Sequence, residues 1–269
     1  MKQIFVIFLI GFISVKALGQ QSVDVGFFGG TGIYFGDMTK TDFSKSVNPA
    51  YGGFLRYNFN PRYAVRFNVL NGTIGSEGQF IFNPWNFSKN VLDISLNLEF
   101  NFLKYIVGEK ETPWSTFIMG GVGVQMFNYE YSESKFEIPN SVPTTYFVDP
   151  TYISKMEHNS SSVISPTIPF GIGVKYDLNK RIGIAFEGSL RKSFSDKMDD
   201  LDDPLSYVDE NSSPSVEINY TDQLHNNDWT SYVGIHVVYK LIYGNKDWEL
   251  KTRKNKMVDW GIWNSIRKQ

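Results

Sequence analysis

The chain has 269 residues, no cysteine and a formal net charge of −2, which allows one large domain and excludes disulfides, thiol catalysis and thiolate metal sites. So small a net charge gives no global field toward nucleic acid or an anionic surface. Beyond the first twenty residues there is no apolar run of about eighteen, so the mature chain has no membrane helix, and its 22 Phe, 15 Tyr and 23 Gly suit strands whose side chains alternate between two faces.

In chain order, Lys2 precedes an apolar run from Ile4 to Val15, followed by Ala17-Leu18-Gly19. That is a basic n-region, an h-region and small residues at a cleavage site, so residues 1–19 are expected to be a signal peptide. No cysteine follows the site, which excludes a lipid anchor there. Val23 to Phe35 is a Gly-rich strand candidate. Its Gly29-Gly30-Thr31-Gly32 is not a phosphate loop, because no helix and no suitably placed lysine follow. Close packing between neighbouring strands is the simpler role for those glycines.

Next, Tyr51, Leu55, Tyr57 and Phe59 alternate with Arg56 and Asn58. After Asn60-Pro61-Arg62, Tyr63, Val65, Phe67 and Val69 alternate with Arg66 and Asn68. Val91 to Phe102 is the clearest segment, with Leu92, Ile94, Leu96, Leu98, Phe100 and Phe102 on one face. Asp93, Ser95, Asn97, Glu99 and Asn101 occupy the other. Trp114 to Tyr129 carries apolar residues on both faces. Ile164 to Tyr176 alternates with Thr167, Gly171, Gly173 and Lys175, and Ile182, Ile184, Phe186 and Leu190 alternate with Glu187 and Arg191. A last strand runs from about Trp229 to Tyr243. These are eight candidate strands.

Their connections alternate in length. Short ones fall at Asn60 to Arg62, around Gly108 to Pro113 and at Asp177 to Lys180. Long polar ones are expected at Gly36 to Pro49, Ile74 to Asn90, Ser132 to Ser161 and Ser195 to Asp228. Together with ionised residues on the polar face, this predicts an all-β, eight-stranded antiparallel up-and-down transmembrane barrel over residues 20–243. Its short turns are periplasmic, its long loops extracellular and both termini periplasmic. The competing soluble barrel or sandwich has the same alternation with the apolar face inward.

An eight-stranded barrel has room inside only for side chains. Arg56, Arg66, Asp93, Glu99, Lys175, Glu187 and Arg191 are therefore expected to form an internal ion-pair network, with a proton or ion path as the sharper alternative. The acidic segment Asp196, Asp199, Asp200, Asp202, Asp203, Asp209 and Glu210 lacks the spacing of an EF-hand loop. It reads as a solvated loop or one pairing with surface cations, and calcium is the alternative. His158, His225 and His236 offer no triad; His225 with Ser231 lacks an orienting acid. No catalytic residue, metal site, cofactor or small-molecule substrate is expected. Residues 244–269 form a basic tail with Trp248, Arg253, Trp260 and Trp263. These suit either an interface with outer-membrane lipids or docking of a periplasmic partner.

Two stretches carry a family resemblance. AYGGFLRYNFNPRYAVR from Ala50 to Arg66 resembles the second hairpin of the PorG-type outer-membrane barrels. So does IPFGIGVKYDLNKRIGIAFEGSLRKSFSDKMDDLDDPLSYVD from Ile168 to Asp209. VLDISLNLEFNFLKY and FIMGGVGV are supporting pieces. The resemblance implies a component of the type IX secretion system of Bacteroidota, associated with a periplasmic ring built by a lipoprotein and its partner. In that reading the barrel ties the ring to the outer membrane. A free-standing barrel for membrane integrity or adhesion is the other class of function.

Overall fold

The computed structural model describes residues 22–36, 43–80, 83–108, 112–132, 146–148, 159–200, 206–209, 216–219 and 228–242. The expected signal peptide and the basic tail lie outside them. In chain order the elements are β1 (Ser22–Phe35), one helical turn α1 (Phe43–Ser46), β2 (Asn48–Asn58), β3 (Tyr63–Phe80), β4 (Asn83–Asn101) and β5 (Trp114–Tyr129). They continue with β6 (Tyr146–Val148), β7 (Ser161–Asp177), β8 (Ile182–Ser193), β9 (Ser206–Asp209), β10 (Val216–Asn219) and β11 (Trp229–Ile242).

Eight of these strands close a ring in the order β1-β11-β8-β7-β5-β4-β3-β2, every pair antiparallel. Each barrel strand pairs with the next one in the chain, and β11 returns to β1 through thirteen residue pairs from Val23↔Ile242 to Phe35↔Trp229. Closure removes the edges that an open sheet of this length leaves unpaired. The short segments β6, β9 and β10 form a separate sheet in the long connections, which the sequence pattern does not reveal.

The alternation resolves with the apolar face outward. Phe27 is 67% exposed and Leu98 68%, whereas Arg56 is 2% and Arg191 0%. Tyr51, Leu55, Phe67, Ile172, Phe186 and Val237 are likewise exposed. A soluble barrel or sandwich would bury these and hydrate the charges, so that alternative is excluded. Aromatic and long apolar residues crowd the short-turn end of the outer face, including Tyr63, Phe102, Trp114, Tyr176 and Tyr239.

The short turns share a device. In each of the β2–β3 and β7–β8 turns an asparagine side chain accepts backbone hydrogen bonds two and three residues on. Asn60 Oδ1 takes the amides of Arg62 (2.8 Å) and Tyr63 (3.0 Å), and Asn179 Oδ1 takes those of Arg181 (2.8 Å) and Ile182 (2.9 Å).

One expected loop is corrected. Ile74 to Asn90 is not an irregular connection, because β3 and β4 stay paired from Tyr63↔Phe100 to Phe80↔Asn83. The hairpin rises beyond its neighbours and turns Ile74, Trp85, Phe87 and Val91 inward, all buried. Its polar residues, among them Glu77, Asn86 and Ser88, mark the opposite face of a strand rather than a loop.

Candidate functional site

The interior is filled with charge in two tiers. Nearer the short turns, Glu99 of β4 is the hub of three cations. Lys175 of β7 pairs with it, the Arg56 guanidinium of β2 lies 3.5 Å away and that of Arg66 of β3 3.6 Å. Arg66 also pairs with Glu187 of β8 at 2.7 Å, and Lys175 donates to Asn101 Oδ1 at 2.8 Å. Arg56 donates through Nε (3.0 Å) and Nη2 (2.9 Å) to Asp24 of β1, which also accepts from Asn58 at 2.6 Å. His236 of β11 places Nε2 3.1 Å from Glu187, with its ring between Phe28 and Phe54.

Above this tier, Arg191 of β8 donates to Asp93 Oδ2 at 3.0 Å and to Ser189 Oγ at 2.8 Å, and Gln125 of β5 donates to Thr230 Oγ1 at 2.8 Å. Four interior cations also face rings: Arg56 and Arg66 lie 5.7 and 4.9 Å from the centre of Phe54, Lys175 4.4 Å from Phe117 and Arg191 4.4 Å from Tyr232.

All seven interior residues named from sequence thus lie inside. Arg56, Arg66, Glu99, Lys175 and Glu187 fall in one connected cluster, and Asp93 with Arg191 forms a second. Sequence reasoning missed Asp24 and His236. Asp24 stands between Val23 and Val25 in a Gly-rich strand, where inward parity was the available signal. His236 sits at an inward position between Ile235 and Val237, and the same parity marks it.

Both ends of this column are covered. At the short-turn end, the β4–β5 connection folds back, burying Tyr105, Ile106 and Val107. Tyr105 donates its hydroxyl to Asp177 at 2.5 Å, and Gly108 donates its amide to the same carboxylate at 2.7 Å. Burial and that carboxylate push the Tyr105 hydroxyl far above its ordinary pKa. Gly108 has φ +85, and a side chain there would meet the Lys180 backbone.

At the other end, Met198 is fully buried against Tyr34, Trp85, Phe87 and Tyr232, with Asp199 and Asp200 buried beside it. Of the two expectations for this segment, a solvated loop fails for these two residues, whereas pairing with a cation holds for Asp200. Asp200 pairs with Lys89, and the Asp199 carbonyl accepts from the Trp85 indole at 2.9 Å. Both are held by the upright β3–β4 hairpin, whose sequence resembles a loop.

Asp202, Asp203 and Glu210 lie outside the described residues, as does the side chain of Asp209. Among the described residues no three His, Cys, Asp or Glu side chains gather as metal ligands. His158, His225, Trp248, Arg253, Trp260 and Trp263 are also outside the described residues. Ser231 is buried. In the Gly29–Gly32 stretch, Gly30 faces inward where an added Cβ would lie 2.2 Å from the Val233 carbonyl oxygen. Gly29 faces open space.

A closed ring of antiparallel strands, apolar outside and charged inside, is a small transmembrane β-barrel, the architecture of bacterial outer-membrane proteins. Among the described residues no helix is long and apolar enough to cross a membrane; the strands do the crossing. The chain belongs to the family described as domain of unknown function DUF6089, whose sequence profile matches residues 2–248. No curated protein matches the chain.

Solved structures similar to it include the N-terminal β-barrel domain of OprF from Pseudomonas aeruginosa. That match has 14% identity, covers 81% of this chain and 97% of that one, and has a TM-score of 0.37. OprG from Pseudomonas aeruginosa is 12% identical over 82% of this chain and 98% of its own, with a TM-score of 0.39. Neisserial surface protein A is 8% identical over 82% and 97%, also with a TM-score of 0.39. The barrel described above is defined by its own strand pairing.

Proposed function

We propose that this barrel is an outer-membrane component of the type IX protein secretion system, anchoring or assembling the periplasmic ring complex at the outer membrane. The observation that carries the reading is the closed, charge-filled interior. With the column paired and both ends covered, the surfaces left for work are the lipid belt and the two ends. The resemblance of Ala50–Arg66 and Ile168–Asp209 to the PorG-type barrels supplies the particular machine.

In this reading the short turns and both termini face the periplasm, and the belt contacts outer-membrane lipids. The ring lipoprotein and its partner engage the short-turn end, with the tail bearing Trp248, Arg253, Trp260 and Trp263 as the docking segment. The barrel takes no cofactor, nucleic acid or small-molecule substrate and performs no catalysis. His236, the one histidine among the described residues, is 3% exposed and sealed between two rings, beyond a substrate's reach.

A second reading is a free-standing barrel for membrane integrity or adhesion. It is favoured by the elaboration of the long-loop end, where the tall hairpin and the extra sheet of β6, β9 and β10 concentrate.

Affinity purification from detergent-solubilised membranes separates the two. The first reading expects the ring lipoprotein to co-purify with the full chain. A chain cut after Tyr243 is expected to lose it while the barrel stays folded. Failure to recover the lipoprotein, with normal secretion in a deletion strain, would overturn the secretion reading and leave the second.

A further inference from the structure

Among the described residues, the long-loop mouth is sealed by one turn, residues 197–200, of the connection from β8 to β11. Elements that are far apart in the chain hold it. From β4, Lys89 donates to Asp200 Oδ1 at 2.5 Å and to the Lys197 carbonyl at 3.3 Å. The Glu130 amide, just past β5, donates to the same Asp200 oxygen at 2.8 Å. Asp200 itself sits at φ 66, the left-handed region that is uncommon outside glycine but that aspartate tolerates better than most residues. The Met198 amide donates to Asp228 Oδ2 at 2.9 Å, immediately before β11.

The centre of the seal has an unusual proton count. The Tyr34 hydroxyl, at the end of β1, lies 2.8 Å from Asp199 Oδ2 and 2.6 Å from Asp228 Oδ1. A phenol carries one proton, and ionised carboxylates only accept. Tyr34 therefore donates to one of the two, and the second contact becomes a hydrogen bond only when that carboxyl itself carries a proton. All three groups are buried, so neither carboxylate is relieved by bulk water. Among the described residues, the other charged groups acting on Asp228 are Lys89 from β4 and Lys192 from β8, which favour its ionised form. On the turn itself are Asp196, Lys197, whose ammonium lies 5.3 Å from the centre of the Tyr129 ring, and Asp200, already held by Lys89.

We propose that Tyr34, Asp199 and Asp228 form a proton-dependent latch: with one proton held between the two carboxyls the 197–200 turn seals the long-loop mouth, and loss of that proton releases it. The direction of titration agrees. Burial is the largest influence on Asp228 and pushes its carboxyl up from 3.8 to about 6, despite the hydrogen bonds and the two lysines that pull it down. The sealed state thus binds more protons than the released one between those values. Sealing is complete below the lower value and weakens as pH rises through the upper one, by about a hundredfold in the closing equilibrium.

The test is amide hydrogen exchange on the full barrel in detergent micelles, expressed as protection factors so that the intrinsic pH dependence of exchange is removed. Between about pH 5 and about pH 8 the amides of residues 197–200 are expected to lose protection by about tenfold, the part of the full hundredfold that falls in that range, while those of β4 and β5 keep theirs. Asp228→Asn, a neutral stand-in for the protonated acid, is expected to hold the turn equally at both pH values. Asp199→Asn should do the same and serves if the first variant does not fold. Equal protection of the wild-type turn at both pH values would overturn the latch, as would an asparagine variant that loses protection with pH as the wild type does. Neither outcome depends on the secretion reading.

Discussion

Arg191 and Asp93 make the simplest case for what the interior charges do. Both are wholly buried and face each other across the lumen from β8 and β4, 3.0 Å apart. Two buried ions gain little net stability from their attraction, since each surrenders its hydration. Removing one, however, strands the other. Arg191→Leu is expected to lower stability by about 3–5 kcal/mol, read as a lower urea midpoint for the barrel refolded in lipid vesicles. Asp93→Leu combined with it should recover much of that loss, because the orphaned carboxylate is gone. A double variant as damaged as the sum of the two single ones would show that the pair acts through something other than charge. Glu99 is a harder position to rescue, since three cations converge on it from three different strands.

At the scale of the strands, alternation prescribes which glycines can change. Gly120 and Gly121 are adjacent in β5 and face opposite sides. An added Cβ at Gly120 comes no nearer than 3.8 Å to the Pro169 carbonyl, whereas at Gly121 it would lie 2.0 Å from the Leu96 carbonyl and 2.8 Å from the Asn97 Cα. Gly121→Ala should therefore cost about 1–3 kcal/mol and Gly120→Ala almost nothing, as measured by the temperature at which the heat-modifiable gel band is lost. Equal effects would mean the faces of β5 are assigned wrongly.

This scale is also where the sequence is most legible. A period of two is written in most barrel strands, less cleanly in the Gly-rich β1 and in β5, which carries apolar residues on both faces, and short turns such as Asn60-Pro61-Arg62 announce themselves. The upward extension of β3 and β4 is not legible, because above the membrane a hairpin's outer face is polar like a loop. Ile74, Trp85, Phe87 and Val91 hold the signal, yet with turn-forming residues interspersed the alternation is diluted. The Asp199 and Asp200 plug is hidden for a related reason. An aspartate run reads as solvated until the partners that bury it, Lys89, Trp85 and the Glu130 amide, are brought close by strands far away in the chain.

For the whole molecule, the decisive relation is between the charged column and its two covers. Ions move along a lumen only where binding sites exchange with water at both mouths. Here Tyr105, Ile106 and Val107 close one end and Met198 the other, and between them the carboxylates Asp24, Asp93, Glu99 and Glu187 are already engaged by Arg or Lys. Purified barrel inserted in planar bilayers is therefore expected to give no stable conductance step above the bare-membrane leak near neutral pH. Releasing the 197–200 turn uncovers one mouth only, so Tyr34→Phe should remain silent as well. A barrel with a continuous path would behave differently, giving steps that scale with salt concentration and survive in every preparation. Such steps would show the column to be open, and the reading of this molecule as a plugged anchor would fall with them.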